Sequence, residues 1–116
     1  MPKKPPPDPR LGEVEQLVLL ALLRFDGEAY AVPIRELIAA DARIELSRAT
    51  IYITLDRLEK QHLVESSFSE PTGEPGGKAR RMFRLRPDGL AALKAARQAT
   101  DRLAAGTLLE KLEKRS

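Results

Sequence analysis

Of the residue types that most often carry chemistry, the chain holds one histidine, His62, and no cysteine. A metal site of the usual kind needs more His and Cys ligands than that. Without a thiol there is no disulfide, no thiolate nucleophile and no thiolate zinc site. The carboxylates are scattered singly and form no acid/base pair. The GEPGG run lacks the spacing and the strand-to-helix setting of a phosphate-cradling loop. Catalysis is not expected, nor any cofactor or metal. His62 falls at the end of a helical stretch, where the helix dipole favours a cation. What the chain does concentrate is positive charge. Residues 76–86 hold Lys78, Arg80, Arg81, Arg84 and Arg86 with no acid, whereas residues 11–46 carry three cations against seven anions. A segment of charge +5 in a chain of net charge +3 reads either as a stripe for a phosphate-bearing partner or as a solvated basic loop. Charge alone does not choose between them.

The elements that position these residues follow from periodicity and punctuation. At 116 residues with 42% apolar composition, the chain fits one small domain, alone or with a short oligomerisation element. No apolar run reaches 18 residues, so no membrane span is expected, and no secretory signal fits the charged, proline-rich start. A cytoplasmic protein is the expectation. Residues 1–10, half of them proline, read as a disordered tail. A first helix is expected from about Leu11 to Phe25. Its centre, Leu17 to Leu23, is apolar without interruption, more than one small domain can easily enclose, which points to a second subunit. A second helix is expected from about Val32 to Ala40, with Pro33 in its first turn. A link from Asp41 to Leu46 follows, with a brief strand at Ile44 to Leu46. Ser47 is the N-cap of a third helix that runs to about Gln61. On it Ile51, Leu55 and Leu58 face the core, while Ala49, Ile53, Asp56 and Lys60 lie on the opposite side. An outward Ile among polar neighbours is unusual for a merely solvated face. Leu63 to Ser69 and Arg80 to Arg86 alternate as strands about a Gly/Pro-rich hairpin loop. Pro87 opens a fourth helix to about Ala105, which Gly106 interrupts before Leu108, Leu109 and Leu112.

Two features in this order point to nucleic acid. Two short helices are joined by a tight link, and the second opens with small polar residues able to approach DNA closely. A hairpin with a basic flank follows directly and can reach a phosphate backbone. A helix-turn-helix with a wing accounts for both. The fold expected is mainly α with a small β-hairpin wing. Residues 11–86 would form the winged helix-turn-helix, and residues 87–116 a C-terminal dimerisation helix.

The segments LGEVEQLVLLALL, AYAVPIREL, SRATIYITLDRLEKQHLV and SEPTGEPGGKARRMFRLRPDGLAAL resemble the PadR-type transcriptional regulators, over about Leu11 to Leu93. The resemblance implies a homodimeric winged-helix repressor whose third helix reads DNA. In that family the last helix packs on the first helix of the partner, which would bury Leu17, Leu20, Leu90, Leu93 and Leu103. Arg86 stands before Pro87, where such proteins often carry Thr. Some relatives stack planar effectors between subunits on aromatic residues. This chain has no Trp and no aromatic after Phe83, so nothing in it supports a small-molecule effector of that kind.

The expected DNA-binding residues are Ser47, Arg48, Thr50, Tyr52, Ile53, Lys60, Lys78, Arg80 and Arg81. Ser47 is first of all a helix cap. Ile53 reads either as a thymine-methyl contact or as a stray exposed apolar residue. Lys60 otherwise is a solvated helix charge. The partner implied is double-stranded DNA carrying an inverted repeat, with half-sites ~10 bp apart or a small multiple of that. The rival from another class is a winged-helix module in which Ile53 and its neighbours meet a protein.

Overall fold

The computed structural model describes residues 10–69 and 80–115. The proline-rich start and the hairpin loop, Lys78 included, lie outside the described residues. Helix α1 spans Glu13–Arg24, strand β1 Glu28–Tyr30, α2 Ala31–Leu37, α3 Arg48–Lys60, β2 Val64–Phe68, β3 Arg81–Leu85, α4 Pro87–Ala104 and α5 Leu108–Arg115. The architecture is mainly helical, with one three-stranded antiparallel sheet in the order β1-β3-β2. It is a winged helix-turn-helix, as expected.

The core forms where three helices meet the sheet. Val18, Leu19 and Leu22 of α1 are buried with Ile34 of α2, Ile51, Leu55 and Leu58 of α3, and Val64 and Phe83 of the hairpin. The inward stripe of α3 is the one its periodicity predicts, with Thr54 added. Buried Thr54 satisfies its hydroxyl by donating to the Thr50 carbonyl (2.7 Å), a back-bond a helix accommodates at small cost.

Three regions depart from expectation. The stretch Ile44 to Leu46 forms no strand. Ile44 and Leu46 instead pack on the core, and Arg35 donates its Nε to the Leu46 carbonyl (2.7 Å), supplying the partner a sheet would have given. Helix α2 continues as a π-helical turn over Ile38–Ala42, closed by Arg43 in the left-handed region at φ 58°. The third strand is β1, which flanks β3 with Ala29 opposite Phe83. Three residues beside a turn give too short a pattern to read as a strand.

Helix α4 packs on α1 and enters the core through Ala92, Leu93 and Ala96. Leu93 is 2% exposed within a single subunit, so it is core and is not available to a dimer interface. The first turn of α4 comes so close to the hairpin that a Cβ on Gly89 would lie 2.2 Å from the Leu63 carbonyl oxygen. Among the described helices none is long and apolar enough to cross a membrane.

Candidate nucleic-acid interface

Helix α3 is positioned by its cap. The Ser47 hydroxyl accepts from the Thr50 amide (3.0 Å) and donates to the Thr50 hydroxyl (2.9 Å). One of the four free N–H groups at the helix start is thereby satisfied. The other end closes just as tightly. His62 sits in the left-handed region at φ 61°, its amide donating to Glu59 and that of Leu63 to Leu58. These two bonds make a Schellman motif without the usual glycine. His62 is therefore a helix terminator in backbone terms. Among the described residues no group of three or more His, Asp or Glu gathers to hold a metal.

With its buried stripe on the core, α3 turns Arg48, Tyr52, Ile53, Arg57 and Lys60 outward, all exposed. Ile53 is 57% exposed and Tyr52 41%. Thr50 is half-buried under the cap. Of the residues expected to touch DNA, the structure thus brings Ser47, Arg48, Tyr52, Ile53 and Lys60 onto the open side of one helix.

The wing side is different. Tyr30, Val32, Tyr52, Phe68, Arg80 and Arg81 line an open pocket of about 460 Å³ between α3 and the outer end of the hairpin. Arg80 is exposed, with its guanidinium 4.1 Å from the centroid of the Tyr30 ring. Tyr30 was not singled out in the sequence, since its role depends on β1 lying beside β3. Arg81, expected on a phosphate, is already engaged. It pairs with Asp56 (2.8 Å) and with Glu59, and its Nε donates to the Ser66 hydroxyl (3.1 Å). That hydroxyl in turn donates to the other oxygen of Glu59 (2.6 Å). The Ser66 bond above all holds the Glu59 carboxyl below its ordinary pKa; burial opposes it, and the hydrogen bond and charge of Arg81 add to the lowering. Burial works against the charge on Arg81, yet the bonds to Asp56 and Glu59 outweigh it and raise its pKa.

The rest of the basic segment is also matched. Arg84, on the central strand, lies opposite both Glu28 of β1 and Glu65 of β2 and pairs with each (3.0 and 3.7 Å). Arg86 pairs with Glu65 (3.2 Å) and occupies the N-cap of α4 without capping it by its side chain. Three of the four described cations of this segment, Arg81, Arg84 and Arg86, are therefore matched by acids from other elements, which the segment's own sequence lacks. Among the described residues, Arg80 is the wing cation that no carboxylate pairs with.

The expected dimer residues divide as well. Leu17 and Leu20 of α1 are half-buried and line an open apolar groove of about 190 Å³ with Leu37 and Ile38, rimmed by the Arg24–Asp41 ion pair (2.8 Å). Leu90 is half-buried and Leu103 is 82% exposed. Beyond Gly106, Leu108, Leu109 and Leu112 of α5 are exposed too.

Residues 19–95 match the model of the transcriptional regulator PadR-like family. No curated protein matches the chain. Among solved structures, a PadR family transcriptional regulator from Eggerthella lenta is 27% identical, with TM-score 0.64, over 90% of this chain and 88% of that one. A PadR-like transcription factor from Bacteroides fragilis is 22% identical, with TM-score 0.68, over 89% of each chain. A winged-helix DNA-binding protein from STIV is 13% identical, with TM-score 0.65, over 84% of this chain and 98% of that one.

Proposed function

Since the chain belongs to the PadR-like family of transcriptional regulators, a family of regulators and not of enzymes, we propose that it is a homodimeric DNA-binding repressor acting in the cytoplasm. Each subunit lays α3 in a major groove of an inverted-repeat operator, and the wing follows the phosphate backbone. The observation that carries this reading is the outward face of α3. Three cations, Arg48, Arg57 and Lys60, surround exposed Tyr52 and Ile53 there. Such a face offers phosphate contacts at its edges and an apolar contact for a thymine methyl at its centre. Ser47 and Thr50 hold the start of the helix at the depth where backbone and side chains meet phosphates. Lys60, Lys78 and Arg80 add charge along the flanks.

Dimerisation is supported by unpartnered apolar surface. The Leu17–Leu20 groove and exposed Leu103, Leu108, Leu109 and Leu112 belong to one chain, and nothing in that chain's described residues covers them. A second copy that presents its C-terminal helices to the groove would bury both. Because α4 supplies Leu93 to its own subunit's core, the test is a point change and not a truncation. Leu103→Glu should shift sedimentation from dimer to monomer with the far-UV spectrum retained. A dimer unaffected by that change would place the interface elsewhere.

Specificity is tested on DNA. The chain should select an inverted repeat from a random duplex pool, and its affinity should fall steeply with salt. Ile53→Ala should lose ~1–2 kcal/mol, concentrated at one A·T position of the selected sequence. Equal loss on every sequence would mean that Ile53 reads no base. Binding that ignores salt would move the α3 face to a protein partner.

A further inference from the structure

The arginines of the wing are sorted by strand parity. Side chains alternate faces along a strand. Arg81, Phe83 and Leu85 therefore share one face of β3, opposite Phe68, Ser66 and Val64 of β2. That face looks onto the helices, since Val64 and Phe83 are fully buried there. Arg81 is the outermost member of the row, past the end of the apolar core. Its guanidinium lies 4.7 Å from the centroid of the Phe83 ring, and its fork reaches α3. Asp56 and Glu59 are three residues apart on α3 and so lie on one face of it, spaced to receive the two arms of the fork. One side chain thus ties β3 to α3 through Asp56 and Glu59, and to β2 through Ser66. The side chain of Arg81 is only 27% exposed, whereas Arg80 stands in the open over Tyr30 with no acid partner among the described residues.

We propose that Arg81 is a positioning residue that locks the wing to the DNA-reading helix, and that the phosphate contact of this strand falls to Arg80. The inference rests on the reading of α3 and the wing as the DNA-binding surface. Its mechanical half, the lock, stands without it. A winged-helix protein places a helix in a groove and a hairpin on the neighbouring backbone at once. Their separation must match that of the two features on the duplex. A wing free to swing loses affinity through the entropy of ordering it on binding. Three charge-assisted bonds from one planar fork remove that freedom beforehand. Lysine could not replace them, because a single ammonium on a flexible stem cannot span Asp56, Glu59 and Ser66 together.

The experiment uses the full chain and two readouts. The first is hydrogen exchange at the Ser69 amide, which donates to the Arg80 carbonyl (2.7 Å) where the wing leaves the described sheet. Arg81→Ala and Arg81→Lys should both speed that exchange about tenfold or more, and Arg80→Ala should not. Should Arg81→Ala fold poorly, the Asp56→Asn, Glu59→Gln double variant cuts the same lock from the helix side and should show the same acceleration. The second readout is fluorescence anisotropy on a mixed-sequence DNA duplex about three helical turns long, across a range of salt. Arg80→Ala should flatten the slope of log K against log salt by ~0.9 for each phosphate it no longer neutralises, or ~2 for a dimer. Arg81→Ala should weaken binding several-fold at every salt concentration with its slope unchanged, and Arg81→Lys should do the same. The proposal is overturned if exchange at Ser69 is unmoved in both the arginine and the acid variants. It is equally overturned if Arg81→Ala flattens the slope and Arg81→Lys restores it, since Arg81 would then be the phosphate contact. A wild-type chain that binds no duplex would sink the DNA reading and the role of Arg80, while exchange still decides the lock.

Discussion

Helix α3 and strand β3 with its flanks each carry several cations, and they use them in opposite ways. On α3, Arg48, Arg57 and Lys60 are turned to solvent from a helix whose other side is core. On β3 and its flank, Arg81, Arg84 and Arg86 are each matched to a carboxylate of another element, and Arg80 alone among the described wing cations has no carboxylate partner among the described residues. The lesson lies in the range of the interactions. Helix faces are set by neighbours three and four residues away. Strand charges are set by residues that the register brings from distant parts of the chain: Arg81 meets Asp56, and Arg84 meets Glu28. A charge count along the chain therefore measures unpaired charge well for the helix and poorly for the strand.

The same division governs what was legible in advance. The boundaries of α3, its Ser47 cap and its buried stripe follow from local pattern, and the structure agrees within a residue at each end. The alternation of β2 and β3 was legible for the same reason. The partners of Arg81 and Arg84 were not, because an acid-free run of sequence says nothing about acids across a sheet. One signal was present: Asp56 and Glu59, three apart, fall on one face of a helix that precedes a basic strand. Strand β1 and the π-helical turn were missed because each is decided by packing, one against β3 and the other against α1. The apolar excess of α1 was legible in part. Leu17 and Leu20 line an uncovered groove as that excess implied, but Leu93, grouped with them, is needed by its own core.

The largest expected effect comes from breaking helix and wing together. Gly89 presses on the Leu63 carbonyl, where α3 passes into β2, and on Leu85 at the end of β3. A methyl 2.2 Å from a backbone oxygen cannot be absorbed by a rotamer change, so the chain itself must shift. Gly89→Ala should cost about 2–3 kcal/mol in chemical denaturation, at the upper end of overpacking. It should also perturb backbone resonances at both Leu63 and Leu85. A neutral result would mean that α4 docks more loosely than the described geometry.

A change confined to the helix should cost less. Ser47→Ala removes the hydroxyl that satisfies the Thr50 amide and should destabilise the protein by about 1 kcal/mol. Exchange protection should fall at the first turn of α3 and remain at Ser69 in the wing. Loss of protection in both places would show that the two regions are not separable, and would weaken the contrast drawn between them.

The smallest effect should come from protonating a single carboxylate in the link between the two regions. In the folded state Glu59 accepts from Ser66 and Arg81 through its two oxygens, and both bonds favour the charged form. Its folded pKa is lowered, so the unfolded chain binds the proton more readily. By linkage the contribution of Glu59 to stability is complete above its unfolded pKa, about 4.3 for a glutamate, and is lost as the pH falls through the lower folded value. With its pKa lowered, Glu59 stays charged across the neutral range, so its contribution to stability and wing protection should be level there. On acidification below the ordinary glutamate range, exchange at Ser69 should speed up once corrected for the intrinsic pH dependence of exchange. The Glu59→Gln variant should be less protected at neutral pH and should lack that acid-dependent component. Asp56 also holds Arg81, so part of the protection should survive in the variant. If wild type and Glu59→Gln lose protection in parallel as the pH falls, the acid sensitivity of the wing belongs to other carboxylates, and Asp56 alone would be the anchor of Arg81 on α3.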